Sequence, residues 1–286
     1  MKKSLIGIIG DKGNFGRRLK EFCLANGFNV IGSDFKTPLS NKGVVKKSDV
    51  VIFSVPPRVA VSVIEEVLPF SRSEQLWLDV TSVKVLPIEA MRKSKAEVVG
   101  LHPMSAPSVD SFEGQVIIKC VERLDKWRDW LDEFLLLTKA KIVERSPHTH
   151  DVYGAMVQSL LHDILIAMMG VLGTMRAHQL DPKLLFEQAS PLFYFQLVLM
   201  GRVLSRDAKL YADIQVCNPY TLPAVRSFEA HIKILRRKIE RNDTDGFIVE
   251  FERAKSYVKE SDLREFSDVF EEIVKVIAQK RAKQST

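Results

Sequence analysis

The sequence has few cysteines and no long hydrophobic run. Cys23, Cys120 and Cys217 are the only three cysteines, and they form no Cys-x-x-Cys pair or Cys/His cluster. Neither a disulfide framework nor a zinc site is therefore expected, and the thiols are predicted to be buried apolar filler. The longest nearly unbroken apolar stretch, residues 164–175, has twelve residues, fewer than the ~18 that a membrane span requires. We predict no metal site and no transmembrane helix.

No targeting segment, internal repeat or low-complexity stretch is recognisable. The first residues, Met-Lys-Lys-Ser, lead into the apolar segment 5–10 and then into charged residues rather than a small-residue cleavage site. We expect a cytoplasmic chain. Its 286 residues, 46% hydrophobic and 27% charged, exclude disorder and fibrous repeats and suit one large domain or two ordinary ones.

The charge balance is slightly basic but not patterned for nucleic acid. Forty-two Lys and Arg against 36 Asp and Glu give +6, and half of that excess lies at the tail in Lys280, Arg281 and Lys283. A scattered positive balance suits a small anionic ligand, because summed positive charge raises the local anion concentration near a cleft. We predict no nucleic-acid partner.

The pattern along the chain changes once. Before about residue 147, β-branched runs alternate with helical stretches, which is typical of a mostly parallel sheet wrapped by helices. From Ser146-Pro147 onward only apolar segments at helical spacing remain. We predict an α/β domain over 1–147 and an all-helical domain over 148–286. The expected strands are Leu5–Ile9, 29–33, 50–55, 76–80, 98–101, 116–120 and Lys141–Glu144.

A glycine turn follows the first expected strand and opens a helix. Strand, glycine turn and helix in this order bring backbone N–H groups and the positive end of a helix dipole toward a pyrophosphate. The spacing departs from GxGxxG, because Gly10 comes one residue early and Asp11 stands at a glycine position of the pattern. The expected cofactor contacts in this turn are Gly10, Lys12, Gly13, Asn14, Phe15 and Gly16.

The second expected strand ends at Asp34, eighteen residues beyond Gly16. A carboxylate at this place accepts hydrogen bonds from a ribose 2′-hydroxyl and repels a 2′-phosphate, which favours NAD over NADP. The neighbouring Lys36 leaves some NADP use open. A purely structural glycine turn followed by a surface Asp is the alternative.

Three further stretches follow strand ends, where an open α/β sheet places its ligands. One contains His102, whose unperturbed pKa near ~6.5 allows it to accept a proton at neutral pH. A loop histidine with structural hydrogen bonds is the alternative. The other residues expected to line this crevice beside the cofactor are Ser54, Val55, Pro56, Thr81, Ser82, Pro103 and Met104.

Three segments together carry a resemblance to a known family. They are Asp79-Val80-Thr81-Ser82-Val83-Lys84, Gly100-Leu101-His102-Pro103-Met104, and Met200-Gly201-Arg202 followed by Leu210-Tyr211-Ala212-Asp213-Ile214. The chain resembles prephenate dehydrogenases over nearly its whole length, closest to the subgroup fused to chorismate mutase in enteric bacteria. The resemblance implies a stand-alone dehydrogenase with a Rossmann-type domain, followed by a helical domain through which it forms a homodimer.

The resemblance also implies a reaction and a set of site residues. NAD takes a hydride from C4 of prephenate, the ring carboxylate leaves as CO2, and 4-hydroxyphenylpyruvate is formed for tyrosine biosynthesis. His102 resembles the catalytic histidine that accepts the 4-hydroxyl proton, and Ser82 the serine that shares this contact. Arg202 resembles the arginine that binds the anionic cyclohexadienyl substrate, while His162 resembles a donor to its side-chain carboxylate. Gln158, Lys84 and Tyr211 occupy further family positions.

Some of these assignments have structural alternatives. Arg202 follows an apolar stretch, so its charge needs a partner or a path to water, and snorkelling from a helix would also explain it. His162 is separated from Asp151 and Gln158 by offsets that predict one polar face of a helix, yet a satisfied core histidine would fit as well.

Two departures from the family pattern concern the substrate. Ser105-Ala106-Pro107 stands where the subgroup has Phe-Gly-Pro, and Pro191-Leu192-Phe193-Tyr194 lacks an arginine that relatives carry after this position. Ser105 adds a hydroxyl that could favour an ammonium at C4. The alternatives are therefore 4-amino-4-deoxyprephenate or arogenate as substrate, and a catalytically silent, nucleotide-binding regulatory relative.

Overall fold

The computed structural model describes residues 4–105, 111–177 and 181–284. In these ranges it contains a seven-stranded sheet, and each expected strand is present with bounds shifted by a few residues at most. The predicted α/β class with a mostly parallel sheet is confirmed. The strands are β1 Leu5–Ile9, β2 Asn29–Ser33, β3 Val50–Phe53, β4 Leu76–Asp79, β5 Glu97–Pro103, β6 Val116–Arg123 and β7 Lys141–Glu144.

The strand order places the glycine turn at a reversal of the sheet. The order is β2-β1-β3-β4-β5-β6-β7, and only the β5–β6 pair is antiparallel. The chain passes from β1 outward to β2 and then returns to the other side of β1 as β3. Ligands of open α/β sheets bind outside the carboxyl ends of the strands at such a switch point, which here lies between the ends of β1 and β3.

The central strands are apolar because both faces of the sheet are covered. Every residue of β3 and β4 is buried, as expected for parallel strands between helical layers. One core contains Ile6, Ile8 and Leu78 under α1 and α5, and the other contains Phe53, Trp77 and Met91 under the helices of the opposite face. The helices before the second half of the chain are α1 Asn14–Ala25, α2 Asn41–Lys47, α3 Pro57–Val67, α4 Val85–Arg92 and α5 Arg128–Leu137.

After residue 146 the described chain is helical, as predicted. A π-helical turn, Ala155–Leu160, separates the first two of these helices. The helices are α6 Pro147–Gly154, α7 Leu161–Ala177, α8 Pro182–Glu187, α9 Pro191–Leu204, α10 Ala208–Cys217, α11 Thr221–Glu240, α12 Thr244–Lys255 and α13 Glu260–Gln284.

The chain forms two compact units. The first contains the sheet and extends to Gln158, and it also includes Lys209–Tyr220; the second contains Ser159–Ala208 and the chain from Thr221 onward. Helix α6 and most of α10 therefore pack with the sheet. The boundary after residue 147 stays a prediction.

Cys23 and Cys120 are fully buried, as predicted for apolar filler, whereas Cys217 is half-buried. Burial raises the pKa of the Cys23 and Cys120 thiols to about 12. Both side chains therefore pack as neutral thiols.

One helical stretch in the described chain, Pro147–Thr174, is long and apolar enough to cross a membrane by length and composition alone. Its most apolar window has a mean hydropathy of 1.7, and 17% of that window is buried. This differs from our expectation, because the helix continues before residue 164 through the apolar residues of the π-turn. A single such helix is a weak indication, since core helices of other proteins meet the same criterion, and the absence of a membrane partner stays a prediction.

Candidate active site

The turn after β1 requires glycine at two positions. Gly10 has φ +92°, and a Cβ there would lie 2.2 Å from the Ser54 carbonyl oxygen at the end of β3. A Cβ on Gly16 would lie 2.0 Å from the Gly10 carbonyl oxygen. Both contacts are impossible for a larger residue, so these glycines hold the first turn of α1 against the ends of β1 and β3.

Gly13 is different, because the fold itself does not demand a glycine there. A Cβ on Gly13 would meet its nearest neighbour at 3.4 Å, an ordinary contact. Gly13 is the N-cap of α1 and provides no side-chain cap, and the first turn carries no acidic residue. The helix thus has N–H groups without a side-chain acceptor and an open approach to them, which suits an anion. Lys12 and Asn14 are exposed beside this opening, and Phe15 is half-buried.

The structure also explains the departure from GxGxxG at Asp11. The side chain of Asp11 is 3% exposed and occupies the space where a Cβ on Gly32 would lie. Its Oδ2 atom accepts a hydrogen bond from Lys20 Nζ at 2.7 Å. The turn therefore accommodates a carboxylate because β2 supplies a glycine opposite it and α1 supplies a cation.

Asp34 lies at the end of β2 beside the glycine turn, as the sequence predicted. Its Oδ2 atom accepts the Lys12 N–H at 2.9 Å, and its Oδ1 atom accepts the Phe35 N–H at 2.6 Å. A carboxylate can accept about four hydrogen bonds. Two acceptor positions of Asp34 therefore remain for a ligand.

The ends of β3, β4 and β5 are placed along the same edge of the sheet. Ser54, Val55 and Pro56 follow β3 directly. After β4, Thr81 is fixed by hydrogen bonds to Asp79 and to the Val83 carbonyl. The buried hydroxyl of Ser82 has no hydrogen-bond partner among the described residues, and such an orphaned polar atom indicates a missing ligand or water.

A cavity of about 270 Å³ lies beside the carboxyl end of β5. This volume is close to the lower end of the ~300–1,000 Å³ range of small-molecule sites. His102 lines it and is 6% exposed. The lining residues are His102, Met104, Val116, Ile118, Val143, Arg145, Thr149, His150, Tyr153, Gly154, Val157 and Gln158.

His102 belongs to a buried chain of hydrogen-bonded side chains. Its Nδ1 atom lies 2.8 Å from Nε2 of His150, and His150 Nδ1 lies 2.7 Å from Oδ1 of Asp151. Asp151 also accepts the backbone N–H groups of Lys84 at 2.7 Å and of Val85 at 2.9 Å. Asp151, on α6, thus caps the N-terminus of α4, where an anion is favoured.

Lys84 has partners other than the predicted substrate. Its side chain is fully buried, and its Nζ atom donates to Asp79 Oδ2 and to the Leu101 carbonyl at 2.9 Å. The ammonium is held there because a buried charge needs a counter-charge and hydrogen bonds. In this structure Lys84 links the ends of β4 and β5 rather than contacting the cavity.

Burial sets the protonation of both histidines. Desolvation, with the nearby His150 and Lys84, places the pKa of His102 well below its usual range. Desolvation also lowers the pKa of His150, although Asp151 opposes this shift. Both rings are therefore neutral at pH 7, and His102 is available as a proton acceptor.

Ser105 is engaged by the first helix. Its hydroxyl accepts a hydrogen bond from Arg18 Nη1 at 3.2 Å, and the Arg18 guanidinium lies 3.9 Å from the centre of the Phe112 ring. This bond occupies one of the two acceptor positions of the hydroxyl, and the predicted role of Ser105 beside C4 stays a prediction. Ala106 and Pro107, the rest of that departure from the family, lie outside the described residues.

The predicted polar face of Asp151, Gln158 and His162 is wrong in part. The π-helical turn between α6 and α7 adds a residue per turn and changes the angular spacing. Gln158 lines the cavity, whereas the Asp151 carboxylate binds the start of α4. His162 lies in the second unit and is half-buried, and desolvation lowers its pKa.

Arg202 and Tyr211 lie on different helices in different units. Arg202 is in the last turn of α9 in the second unit, where its side chain is exposed. Tyr211 is half-buried on α10, in the part that packs with the sheet unit.

The sequence did not indicate most of the cavity lining, including His150 and Arg145. His150 contacts His102 directly, and Arg145 brings a guanidinium to the cavity just after β7. A signal for His150 was available, because Ser146-Pro147 marks a helix start and His150-Asp151 follows within its first two turns. Arg145 was recognisable only as a charge at a strand end.

The fold and the site together define a nucleotide-binding α/β domain followed by helices, with a buried histidine at the end of a strand. Two family models match the chain: prephenate dehydrogenase, nucleotide-binding domain, over residues 30–144, and prephenate dehydrogenase, dimerization domain, over residues 146–253. The chain belongs to the prephenate dehydrogenase family. Members of this family are NAD-dependent dehydrogenases acting on prephenate or arogenate.

Curated relatives cover most of this chain. A protein of Methanocaldococcus jannaschii named "Probable arogenate/prephenate dehydrogenase" is 31% identical over 85% of this chain and 58% of its own length. The T-protein of Haemophilus influenzae is 28% identical, over 88% and 66%. A 4-amino-4-deoxyprephenate dehydrogenase of Streptomyces pristinaespiralis is 27% identical, over 79% and 76%. The chain thus spans less than two thirds of the length of the first two relatives.

A solved structure has the same fold. The prephenate dehydrogenase of Aquifex aeolicus, in complex with hydroxyphenyl propionate and NAD+, superimposes with a TM-score of 0.70 at 20% identity. The match covers 90% of this chain and 98% of that one.

Proposed function

We propose that this protein catalyses the NAD-dependent oxidative decarboxylation of prephenate to 4-hydroxyphenylpyruvate, a step of tyrosine biosynthesis. The observation that carries the proposal is His102, a buried neutral histidine that lines a small cavity at the end of β5. Its Nδ1 atom is engaged by His150. Its Nε2 atom has no hydrogen bond to a described residue and is free to accept a proton.

Three features of the sheet edge fit a bound NAD. The uncapped N-terminus of α1 and the open approach at Gly13 suit a pyrophosphate. Asp34 keeps acceptor positions for a ribose hydroxyl and opposes a 2′-phosphate. The orphaned hydroxyl of Ser82, shortly after β4, supplies a polar group at the same edge of the sheet.

In the proposed reaction, His102 and Ser82 have separate roles. NAD supplies the hydride acceptor. His102 Nε2 takes the proton of the 4-hydroxyl as the hydride leaves C4, and Ser82 shares a hydrogen bond with the same oxygen. As C4 becomes a carbonyl carbon, the ring carboxylate departs as CO2 and its electron pair completes the aromatic ring. His102 then returns the proton to the product oxygen, so that no proton is gained or lost overall.

Prephenate is a dianion, so cations and donors must meet its two carboxylates. By family resemblance we assign Arg202 to one carboxylate and His162 to the other, with Gln158 and Tyr211 as further ligands. Arg145, which lines the cavity beside His102, adds a guanidinium that the resemblance did not supply.

The cavity favours prephenate over the amino substrates. Its described lining contains Arg145 and no Asp or Glu. An ammonium at C4, or on the side chain of arogenate, would find no counter-charge there, and an unpaired charge in such a site is costly. The Arg18 guanidinium already occupies one acceptor position of the Ser105 hydroxyl, and a neutral hydroxyl does not supply a counter-charge.

The direct experiment is an assay of purified protein with NAD, and separately NADP, against prephenate, arogenate and 4-amino-4-deoxyprephenate, following reduced cofactor. We expect the highest kcat/KM with prephenate and NAD. A clear preference for an amino compound would overturn the substrate assignment but keep hydride transfer. No turnover of any of them, with the nucleotide still bound, would support the silent relative.

His102→Asn tests the base within the same assay. Asparagine keeps a hydrogen-bonding group but cannot take the proton, so kcat should fall about 10²–10⁴-fold while the Kd for NAD changes little. A kcat near that of the wild type would exclude His102 as the base.

We also infer a cytoplasmic homodimer formed through the helical domain of residues 148–286. Large apolar side chains of α7 and α9 are exposed in the single chain, among them Val171 at 58% and Leu192 at 62%. The match of residues 146–253 to a dimerization domain supports a second copy of this chain as their cover.

A further inference from the structure

The buried side chains behind His102 determine which of its ring nitrogens carries a proton. Asp151 Oδ1 accepts the Lys84 N–H and lies 2.7 Å from His150 Nδ1. An ionised carboxylate can only accept, so His150 Nδ1 must carry the hydrogen. His150 Nε2 of the neutral ring is then an acceptor.

The acceptor on His150 in turn fixes the hydrogen of His102. His150 Nε2 lies 2.8 Å from His102 Nδ1, so His102 must donate from Nδ1. In a neutral ring that leaves the lone pair on Nε2. A protonated His150 would invert this order, because it would donate from Nε2 and leave the hydrogen of His102 on Nε2, where the ring could not act as a base.

We propose that His150 and Asp151 are positioning residues that hold His102 in the Nδ1–H tautomer, with Nε2 as the proton acceptor for the substrate hydroxyl. This proposal rests on the dehydrogenase function proposed above. No proton passes along the chain of side chains. When His102 Nε2 takes the substrate proton, the Nδ1–H donated to His150 becomes a charge-assisted hydrogen bond and stabilises the imidazolium.

Further contacts fix the direction of the hydrogen bonds that link Asp151, His150 and His102. Asp151 is held by two backbone N–H groups of α4, and the Asn218 side chain donates to its carbonyl oxygen at 2.8 Å. His150 and Asp151 are 2% and 0% exposed, so water does not compete for their hydrogen bonds. The first residues of α6 thus connect the helix cap of α4 with the catalytic histidine.

Two substitutions at His150 separate the acceptor from the rest of the side chain. In His150→Gln the terminal amide reaches as far as Nε2 and offers an oxygen to His102. In His150→Asn the amide reaches only as far as Nδ1, so it can still face Asp151 but not His102. His148→Asn is the matched control, because His148 is exposed on the same helix.

We expect His150→Asn to lower kcat about 10–100-fold, by analogy with the loss seen when the outer hydrogen-bond partner of a metal-bound histidine is removed. The KM for NAD should stay unchanged, His150→Gln should restore most of the activity, and His148→Asn should match the wild type. An equal loss in His150→Gln and His150→Asn, or a loss confined to KM, would contradict the proposal.

Nitrogen-15 NMR of histidine-labelled protein reads the tautomer without any turnover. With the His102 signal assigned by its loss in His102→Asn, the wild type should show a protonated Nδ1 and an unprotonated Nε2. His150→Asn should populate both neutral tautomers, and His150→Gln should return to one. A wild-type His102 protonated on Nε2 would overturn the proposal even in an active enzyme. A correct tautomer in a protein that turns over no cyclohexadienyl substrate would instead reject the proposed function.

Discussion

At the scale of single residues, the proposed nucleotide site depends on the hydrogen-bond acceptor positions of Asp34 that the protein itself does not occupy. Asp34 uses one oxygen for the Lys12 N–H and the other for the Phe35 N–H. These bonds fix the carboxylate at the mouth of the glycine turn and leave acceptor capacity facing a ligand. The predicted preference for NAD thus depends on a charge that local backbone groups hold in place.

Asp34→Ala and Asp34→Asn test this assignment. The alanine variant should bind NAD more weakly by roughly 1–3 kcal/mol, since the substitution removes a hydrogen-bonded charged group. Asparagine keeps an acceptor for the ribose hydroxyl but no longer repels a 2′-phosphate. The asparagine variant should therefore narrow the preference for NAD over NADP mainly by lowering the Kd for NADP. Titration of both nucleotides into each variant measures these effects, and unchanged Kd values in both would refute the role of Asp34.

At the scale of elements, α6 stabilises α4 from a distance in sequence. The local N-cap of α4 supplies no side-chain acceptor, and the Asp151 carboxylate takes that place from α6. Capping by an anion is worth about 1 kcal/mol on average. Since His150 precedes Asp151, the same helix turn supports both the N-terminus of α4 and His102, the proposed base.

The buried histidines of β5 and α6 should make stability fall in acid. The pKa values of His102 and His150 are lowered in the folded chain, by burial foremost, with Lys84 adding to the shift and Asp151 and Asp79 opposing it at His150. The unfolded chain binds these protons near pH ~6.5. The contribution of the two neutral histidines to the free energy of unfolding is therefore fully present above that pH and is lost as the pH falls below it.

Urea unfolding between pH 5 and 8 measures this effect. Each histidine contributes a slope of up to about 1.4 kcal/mol per pH unit below pH ~6.5. His102→Asn should reduce the slope, whereas His148→Asn, which removes an exposed ring of the same helix, should leave it unchanged. A wild-type stability that is flat from pH 7 to pH 5 would contradict buried neutral histidines.

At the scale of the whole molecule, the helical half of the chain leaves apolar surface uncovered. The helical stretch Pro147–Thr174 has one sixth of its most apolar window buried, and Ile166, Val171 and Val198 are each more than a third exposed. Apolar patches of this kind mark interfaces in soluble proteins. A second copy is the cover that the family match supports.

Light scattering after size-exclusion chromatography should therefore give twice the chain mass at micromolar concentration. Val171→Asp should shift the mass toward the monomer, because it places a charge in an apolar interface. Ser73→Asp, exposed in the sheet unit and outside the helical domain of residues 148–286, should leave the mass unchanged. A monomer for the wild type would reject the dimer.

Much of this molecule was predictable because its signals are local. Short β-branched runs separated by helical stretches predicted all seven strands. Such runs can be recognised because the apolar pattern of a strand or a helix depends on residues that are close in sequence. The places of the glycine turn, Asp34 and His102 at the carboxyl edge of the sheet were predictable for a related reason, because the ends of the strands in an open α/β sheet lie along the edge where ligands bind.

Only the tertiary structure decided which of these residues form hydrogen bonds and ion pairs with one another. His150 and His102 are 48 residues apart, and Asp151 reaches α4 across 66. Lys84 matches a substrate-binding position of the family in sequence, whereas in the structure the ends of β4 and β5 enclose it beside Asp79. The π-helical turn moved Gln158 off the face of Asp151. Each of these outcomes depends on which distant groups burial brings together and on the need of buried charges and donors for partners, and no local spacing encodes those pairings.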